Sequence, residues 1–590
     1  MRGLVKILDM SQKKAKKLRR IETVTLMETT DIEHVKGIRQ ILKENWKFLL
    51  FLSLGIFVLY FNSLHGDFVS DDYAAIPDNQ NIGNFRAMIG NSSTFGIYIV
   101  YKLFGITNVI PHHFLSVLIY IFFVCLSFII VELIFNSKKI SRLSMVIFAV
   151  LPIHVEAVSW ISGRIYLLLS IYIMFGFLGF ILYIRNKNWK YLLITLITFI
   201  LGFMTDKPRP FALFLLIFIY ILYEGAEKIK IDWKKSIAFI SVISIILIIL
   251  VWPDVQNRIN NVNSGYNGYG GIFYDPFFQY PTSIAKYLQL IFVPIDLTLY
   301  HTMYVLPAWL NWLIILSYLT AVVYFWFKDK KIFFALTFIF AATAPSMAPA
   351  KVSWLVAERY VFLGSLGFCL FLVFFFQRFS KFWKIPIGIL FCLLIGIYSV
   401  RVYLRNIDWQ TNHNLWVNTC QVSPNSHNAW NNIGDDYDKL AQLETKEEGK
   451  INQYLNSVKG FTQSVTVKQN YADAYHNRAN IFYKIGRYDL AKDSYETALS
   501  YGSGLYQSYY SLLQIDLIEK NYNSAIDHLN RLNTVRPNDP QVYYAASVVY
   551  ANMGKADQAI SILEQLIKFN PGWIQAKELL DQLKNNSLKK

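Results

Sequence analysis

Eleven apolar runs, each close to the roughly 20 residues a helix needs to cross the hydrocarbon core of a bilayer, divide the first 400 residues. They cover 46–64, 112–135, 141–158, 165–184, 189–205, 210–223, 236–252, 308–327, 332–348, 354–376 and 384–402. A backbone crossing lipid must satisfy its polar groups internally, so runs of this length predict transmembrane helices. The segment 284–300 is also apolar but contains Pro294 and Asp296, and it reads as a short or re-entrant helix. The first run follows a basic tail (Lys13, Lys14, Lys16, Lys17, Arg19, Arg20) and lacks a small-residue cleavage site. It is expected to be an uncleaved signal anchor, with residues 1–45 as a cytoplasmic tail.

The charges between the runs test this layout. With the N-terminus cytoplasmic, the inside loops hold Lys138/Lys139/Arg142, Arg185/Lys187/Lys190, Lys228/Lys230/Lys234/Lys235, Lys328/Lys330/Lys331 and Arg378/Lys381/Lys384. The longer outside loops near 65–111 and 253–307 carry only Arg86, Lys102, Arg258 and Lys286. That asymmetry follows the positive-inside rule and puts the C-terminal part on the extracytoplasmic side. The net charge of +17 therefore reflects topology: from Trp409 onward there are 18 Lys+Arg and 18 Asp+Glu, leaving no basic face for nucleic acid. Of the four cysteines, Cys125, Cys369 and Cys392 fall in apolar runs and Cys420 stands alone, so no disulfide framework or CxxC metal pair exists.

After Trp409 the periodicity changes to a 34-residue repeat of large and small residues at fixed offsets, the signature of a tetratricopeptide array. Copies start at 472, 506 and 540; one runs Tyr475, Ala479, Phe482, Gly486, Tyr488, Ala491, Tyr495, Ala498. An earlier copy has Trp430, Ile433, Gly434 and Tyr437, then an insertion around Glu444–Lys450, and 574–584 reads as a capping helix. Small residues let paired helices approach, and stacked pairs create a concave binding surface.

Ionisable residues near the membrane are costly, about 2.5–3.5 kcal/mol each at a helix centre even on low estimates. In the predicted topology, unusual ones gather on the outer face from four loops: Asp71 and Asp72; His154, Glu156 and Arg164; Asp206, Lys207 and Arg209; and Lys351, Glu358 and Arg359. Such a face suits group transfer from a lipid-linked phosphosugar. Cations would hold the phosphate and stabilise the charge it gains on leaving, and a carboxylate would take the proton of an acceptor hydroxyl. Each residue alone has a plainer reading. The acids are loop solvation, His154 is a packed histidine, Glu156 pairs with Arg164 or Glu358 with Arg359, and Lys207 and Arg209 are snorkelling anchors. The chemical reading rests on their coincidence at one level. No Walker A motif or dinucleotide fingerprint is present.

These residues resemble the transmembrane and tetratricopeptide-repeat O-mannosyltransferases of the GT-C superfamily, which use polyprenyl-phosphate sugars. The similar stretches are Phe68-Val-Ser-Asp-Asp-Tyr, Leu151-Pro-Ile-His-Val-Glu-Ala-Val with Gly163-Arg164, Ala357-Glu-Arg-Tyr-Val-Phe-Leu-Gly-Ser-Leu-Gly-Phe368, and Arg405-Asn-Ile-Asp-Trp409 through Leu415-Trp416 to Ser423-Pro-Asn425. The resemblance implies that an acid of the first outer loop, Asp71 or Asp72 with Asp71 preferred, is the catalytic base. It further implies that His154, Glu156 and Arg164 line the donor or acceptor site. Thr205-Asp-Lys-Pro-Arg departs from the family, which often has Lys-Glu there: Lys207 matches, but Pro208 stands at the Glu position.

The expectation is an all-α protein: a GT-C-like transmembrane domain over 46–405, then a tetratricopeptide-repeat α-solenoid over 406–590. It would transfer a sugar, mannose by the resemblance, from a polyprenyl-phosphate donor to a protein Ser/Thr hydroxyl outside the cytoplasm, with the acceptor polypeptide held by the repeats. Asp71 and Asp72 are the catalytic candidates; His154, Glu156, Arg164, Lys207, Arg209, Glu358 and Arg359 are the donor or substrate candidates. A divalent cation could sit among Asp71, Asp72, His154 and Glu156, although their spacing is not diagnostic. A non-catalytic membrane scaffold and a lipid-linked-sugar transporter or ligase are the alternatives. Ile/Lys/Asn-rich usage is compatible with an AT-rich bacterium and hence with an inner membrane.

Overall fold

The computed structural model describes residues 37–225, 252–253, 256–257, 276–302, 306–347, 355–379, 387–502 and 505–587. The basic tail, nearly all of the expected crossing 236–252 with its flanking lysines, Arg258, Lys351, Lys381 and Lys384 lie outside those residues. All described elements are helical. Four helices are long and apolar enough to cross a membrane alone: Ile110–Phe135, Arg164–Asn186, Ala308–Lys328 and Gly388–Asp408. A fifth arises if the pair Lys138–Ala149 and Pro152–Ser159, bent by 60°, counts as one span.

The remaining described runs form shorter or more charged helices, and the reason lies at their ends. Pro152, Pro210 and Pro345 fall in short 3-10 turns at Pro152–His154, Arg209–Phe211 and Ala344–Met347, where an α-helix would need a backbone N–H that proline lacks. The run expected over 354–376 is likewise helical only from Ser365 to Phe379, after a 3-10 turn at Glu358–Val361. Segment 284–300 is a helix, Pro276–Phe292, that ends before Pro294. Irregular backbone of this kind is tolerated at membrane depth only inside protein. Two of these turns are buried, with Pro152, Ile153, His154, Glu358 and Val361 as core residues, whereas Arg209–Phe211 buries only Pro210 and Ala344–Met347 is half-buried. The opposite ends of these helices collect basic residues. Arg378 pairs with Asp329 at 3.1 Å, Lys138 pairs with Glu44 at 3.0 Å, and Arg185 donates to the Leu133 carbonyl.

The repeat helices begin at Ala472, Tyr506 and Pro540, in the register read from the sequence. The turns inside successive pairs place Gly486 (φ 74°), Lys520 (φ 58°) and Gly554 (φ 75°) in the left-handed region at 34-residue spacing, so Lys520 occupies a glycine position. In the first pair, Gly434 and Gly460 touch: a Cβ on Gly460 would lie 2.9 Å from the Gly434 amide nitrogen. The insertion becomes a short turn and the start of the longer helix Glu447–Val467.

One continuous apolar core runs from the helix Ile38–Leu59 through Trp409, Trp416 and Ile433, so the first repeat helices pack directly on the bundle. Trp160 stacks on Trp409 at 5.7 Å. The Asn406 amide donates to Asn62 (2.9 Å) and accepts from Ser159 (2.8 Å), while Gln410 donates to the Asn62 carbonyl (3.0 Å) and its own carbonyl accepts from Asp67 N–H (2.7 Å). The end of the helix Gly388–Asp408 is thereby tied to the loop that follows the helix Ile38–Leu59.

Candidate functional site

That loop turns sharply. Ser70 has φ 53°, a conformation unfavourable for a side chain bearing Cβ, and its N–H donates to Asn412 Oδ1 at 2.9 Å. The turn separates the two acids. Asp72 is fully buried; its carboxylate accepts from Val69 N–H (3.2 Å), Ser162 N–H (2.7 Å) and Ser162 Oγ (2.5 Å). Burial raises its pKa to about 6, although the bonds from Ser162 and Val69 and the Arg164 charge oppose the shift. Asp71 is exposed and lines a cleft of about 310 Å³ with Tyr73, Tyr300, Asn412, Asp435 and Lys439. Partial desolvation raises its pKa too, and the nearby Arg359 charge offsets part of this.

Behind the cleft the charges pair differently from either neighbour reading of the sequence. Glu156 accepts from both the backbone and the guanidinium of Arg359. Glu358 pairs with Arg405 at 3.2 Å, accepts from Thr298 N–H and lies 3.5 Å from His301 Nε2. Arg405 also reaches Asp408 (3.1 Å) and Asn418 (3.0 Å). Arg164 is fully buried, donating to Ser116 Oγ (3.0 Å) and the His112 carbonyl (2.8 Å). His154 lies deeper, with Tyr120 Oη on one ring nitrogen and Ser365 Oγ on the other, both at 2.8 Å, among Phe148 and Phe362.

Arg209 bonds Asp206 and donates to Ser346 Oγ (3.2 Å). Its guanidinium lies 4.9 and 4.5 Å from the Tyr166 and Tyr360 rings, and Arg359 approaches the same rings at 5.6 and 5.0 Å. Two cations and two tyrosines thus form one layer, an arrangement that holds guanidinium groups rigidly, and Arg359 of that layer acts on Asp71. Lys207 is half-buried in the same turn as Arg209. Among the described residues no group of three or more His, Cys, Asp or Glu side chains is arranged to hold a metal, and Asp71, Asp72, His154 and Glu156 face different partners.

A second cavity of about 600 Å³ lies across the segment 297–302: Tyr300 lines the Asp71 cleft, and the next residue, His301, lines this cavity with Lys286, Gln289, Asp296 and Asn311. Exposed Val293, Ile295, Leu306, Trp309 and Trp312 occur on the adjoining elements. A third, of about 310 Å³, lies on the repeats and is lined by Asp435, Asp438, Asn477, Asn480, Lys484 and Gln514. Sequence reasoning did not single out Arg405, Tyr166, Tyr360 or Asp435. Arg405 carried a signal, being a charge just past the C-terminal end of an apolar run, within the stretch Arg405–Trp409; the two tyrosines carried none among 38.

A tetratricopeptide-repeat family model matches residues 472–501, and a second matches 516–583. Among curated proteins, the chain is 22% identical over 609 residues to "Protein O-mannosyl-transferase TMTC3" of Mus musculus, covering 90% of this chain and 61% of that one. It is 25% identical over 228 residues to the Homo sapiens TMTC3, covering 38% and 22%. It is 22% identical over 423 residues to "Protein O-mannosyl-transferase F38B6.6" of Caenorhabditis elegans, covering 65% and 59%. The chain thus spans less than two thirds of the length of these relatives. Among solved structures, a crystal structure of MamA protein aligns at 15% identity over 27% of this chain and 80% of that one, TM-score 0.23. YrrB, described as a TPR protein with an unusual peptide-binding site, aligns at 18% identity over 30% and 84%, TM-score 0.23. The chain is thus similar to TMTC proteins over most of its length, and its C-terminal part carries tetratricopeptide repeats.

Proposed function

We propose that this chain is a membrane glycosyltransferase that moves a sugar from a polyprenyl-phosphate donor to a hydroxyl of a protein Ser or Thr on the extracytoplasmic side. The observation that carries the reading is the division of labour between adjacent acids. Asp72 is held in place by three hydrogen bonds, whereas Asp71 is presented by a strained turn into a cleft shared with the repeats. Similarity over 90% of the chain to a protein named as an O-mannosyl-transferase supports it.

Asp71 takes the proton from the acceptor hydroxyl while that oxygen bonds to the anomeric carbon. The sugar–phosphate C–O bond breaks, and the polyprenyl phosphate leaves with the electron pair. The layer of Arg209 and Arg359, with Lys207 beside it, supplies positive potential for the departing phosphate. The cavity at Lys286 and His301 offers the headgroup an approach, with apolar Val293, Ile295 and Trp312 available to the prenyl chain. Glu156, Glu358, Arg164 and His154 position these groups. The outward orientation rests on the loop charges of the sequence, which follow the positive-inside rule.

The test is incubation of the purified full chain with radiolabelled polyprenyl-phosphate sugars and Ser/Thr peptides. Label moving to peptide with one donor, and not with Asp71→Asn, is the expected result. Failure with every donor under conditions that preserve the fold would overturn the reading.

A further inference from the structure

The Asp71 cleft and the repeat cavity have one lining residue in common, Asp435. It lies on the helix His427–Leu443. Asn432, Asp436 and Lys439 of that helix line the cleft, and Asp438 lines the repeat cavity. Every charged neighbour is engaged. Asp436 bonds His413 at 2.9 Å, Asp438 pairs with Lys484 at 2.7 Å, and Lys439 lies 4.9 Å over the Tyr73 ring. Asp435 feels Lys439 and Lys484 on one side and Asp436 and Asp438 on the other, but makes no hydrogen bond or ion pair among the described residues. The two cavities therefore share one carboxylate that no hydrogen bond or ion pair engages among the described residues.

The walls suit a polypeptide backbone. The Asn480 carbonyl oxygen accepts from Tyr495 Oη at 2.5 Å, which fixes the amide and leaves its N–H₂ for another acceptor. Asn477 donates to Asn431 at 3.2 Å and keeps its carbonyl. Fixed amides offering both a donor and an acceptor match the alternating C=O and N–H groups of an extended strand.

We infer that the acceptor is an extended polypeptide that runs along the repeat groove, passes Asp435 and delivers its hydroxyl to Asp71, and that Asp435 selects acceptors with a Lys or Arg beside the modified residue. This rests on the proposed transferase reading for the hydroxyl's destination, but the charge selection is a binding property that can be measured alone.

The experiment uses the detergent-purified full chain and synthetic peptides with a single Thr, in which a neighbouring position is Lys, Met or Glu and is moved stepwise along the peptide. Fluorescence anisotropy reads binding, and label transfer reads turnover. One Lys register is expected to bind about tenfold more tightly than its Met counterpart. Asp435→Asn should remove that preference, and Asp435→Lys should transfer it to the Glu peptide. With the wild-type chain, which needs no variant to fold, the Lys preference should shrink at high salt and as the pH falls below about 6, where Asp435 takes up a proton and only Lys439, Lys484, Asp436 and Asp438 remain around it. Equal affinity for Lys, Met and Glu peptides, or a Lys preference unchanged in Asp435→Asn, would overturn the inference even if transfer is observed. Charge-selective binding without transfer would uphold the charge selection by Asp435 and count against the transferase reading, including the delivery to Asp71.

Discussion

Replacing Arg405 by Met should loosen the repeats from the bundle more than any exposed charge change. Arg405 is fully buried and bonds Glu358, Asp408 and Asn418, with Trp409 at 5.6 Å from its guanidinium. Removing one member of a buried pair costs about 3–5 kcal/mol, because the other charge is left without compensation. The lost bond to half-exposed Asp408 adds no more than about 1 kcal/mol. Glu358→Gln keeps an acceptor for Thr298 N–H and leaves Arg405 with Asp408, so its cost should be about 2–3 kcal/mol. The double variant leaves no buried carboxylate or guanidinium unpaired at this pair, and only the half-exposed Asp408 loses its partner. It should therefore lie near Glu358→Gln, with a coupling of at least about 2 kcal/mol. Thermal exposure of the buried thiols Cys369 and Cys420 to a thiol-reactive dye reads the order directly. The predicted order is wild type, then Glu358→Gln and the double variant together, then Arg405→Met lowest. Additivity within about 0.5 kcal/mol would refute the reasoning.

Three further outcomes follow from the same geometry. Lys520→Gly relieves a left-handed residue where the neighbouring repeats have glycine, and should raise the melting point of the repeats by an amount equivalent to about 0.5–1 kcal/mol; no gain in circular-dichroism melts would contradict this. Gly460→Ala forces a Cβ against the Gly434 backbone and should cost about 1–3 kcal/mol by the same assay. The pKa of Asp72 is raised to about 6 on folding, so its contribution to stability is complete below the unfolded value and declines as pH rises through 6. The penalty of Asp72→Asn, measured by the thiol melt, should accordingly be smaller at pH 8 than at pH 5.

The repeats were the most legible part of the sequence, because their register is set by local packing: Ala479, Ala491 and Ala498 are small so that helices can meet, and all three are fully buried. The apolar runs announced membrane helices, but hydropathy cannot show that Pro152 or the turn at Glu358 ends a helix early and folds its charged end into protein. Side-chain pairing was hidden for a similar reason. Glu156 and Arg359 are 203 residues apart, and only the packed bundle brings them together. The two adjacent aspartates were visible as a candidate pair. Their difference depends on Ser162, 90 residues away, which binds Asp72 and not Asp71.

Sugar transfer by matched Asp71→Asn and Asp72→Asn variants of the purified full chain tests the role of Asp71 most directly. With the active donor, Asp71→Asn should lose at least about 10²-fold in turnover while its melting point stays at the wild-type value, whereas Asp72→Asn should lose stability first. Wild-type turnover by a well-folded Asp71→Asn variant would contradict the central claim.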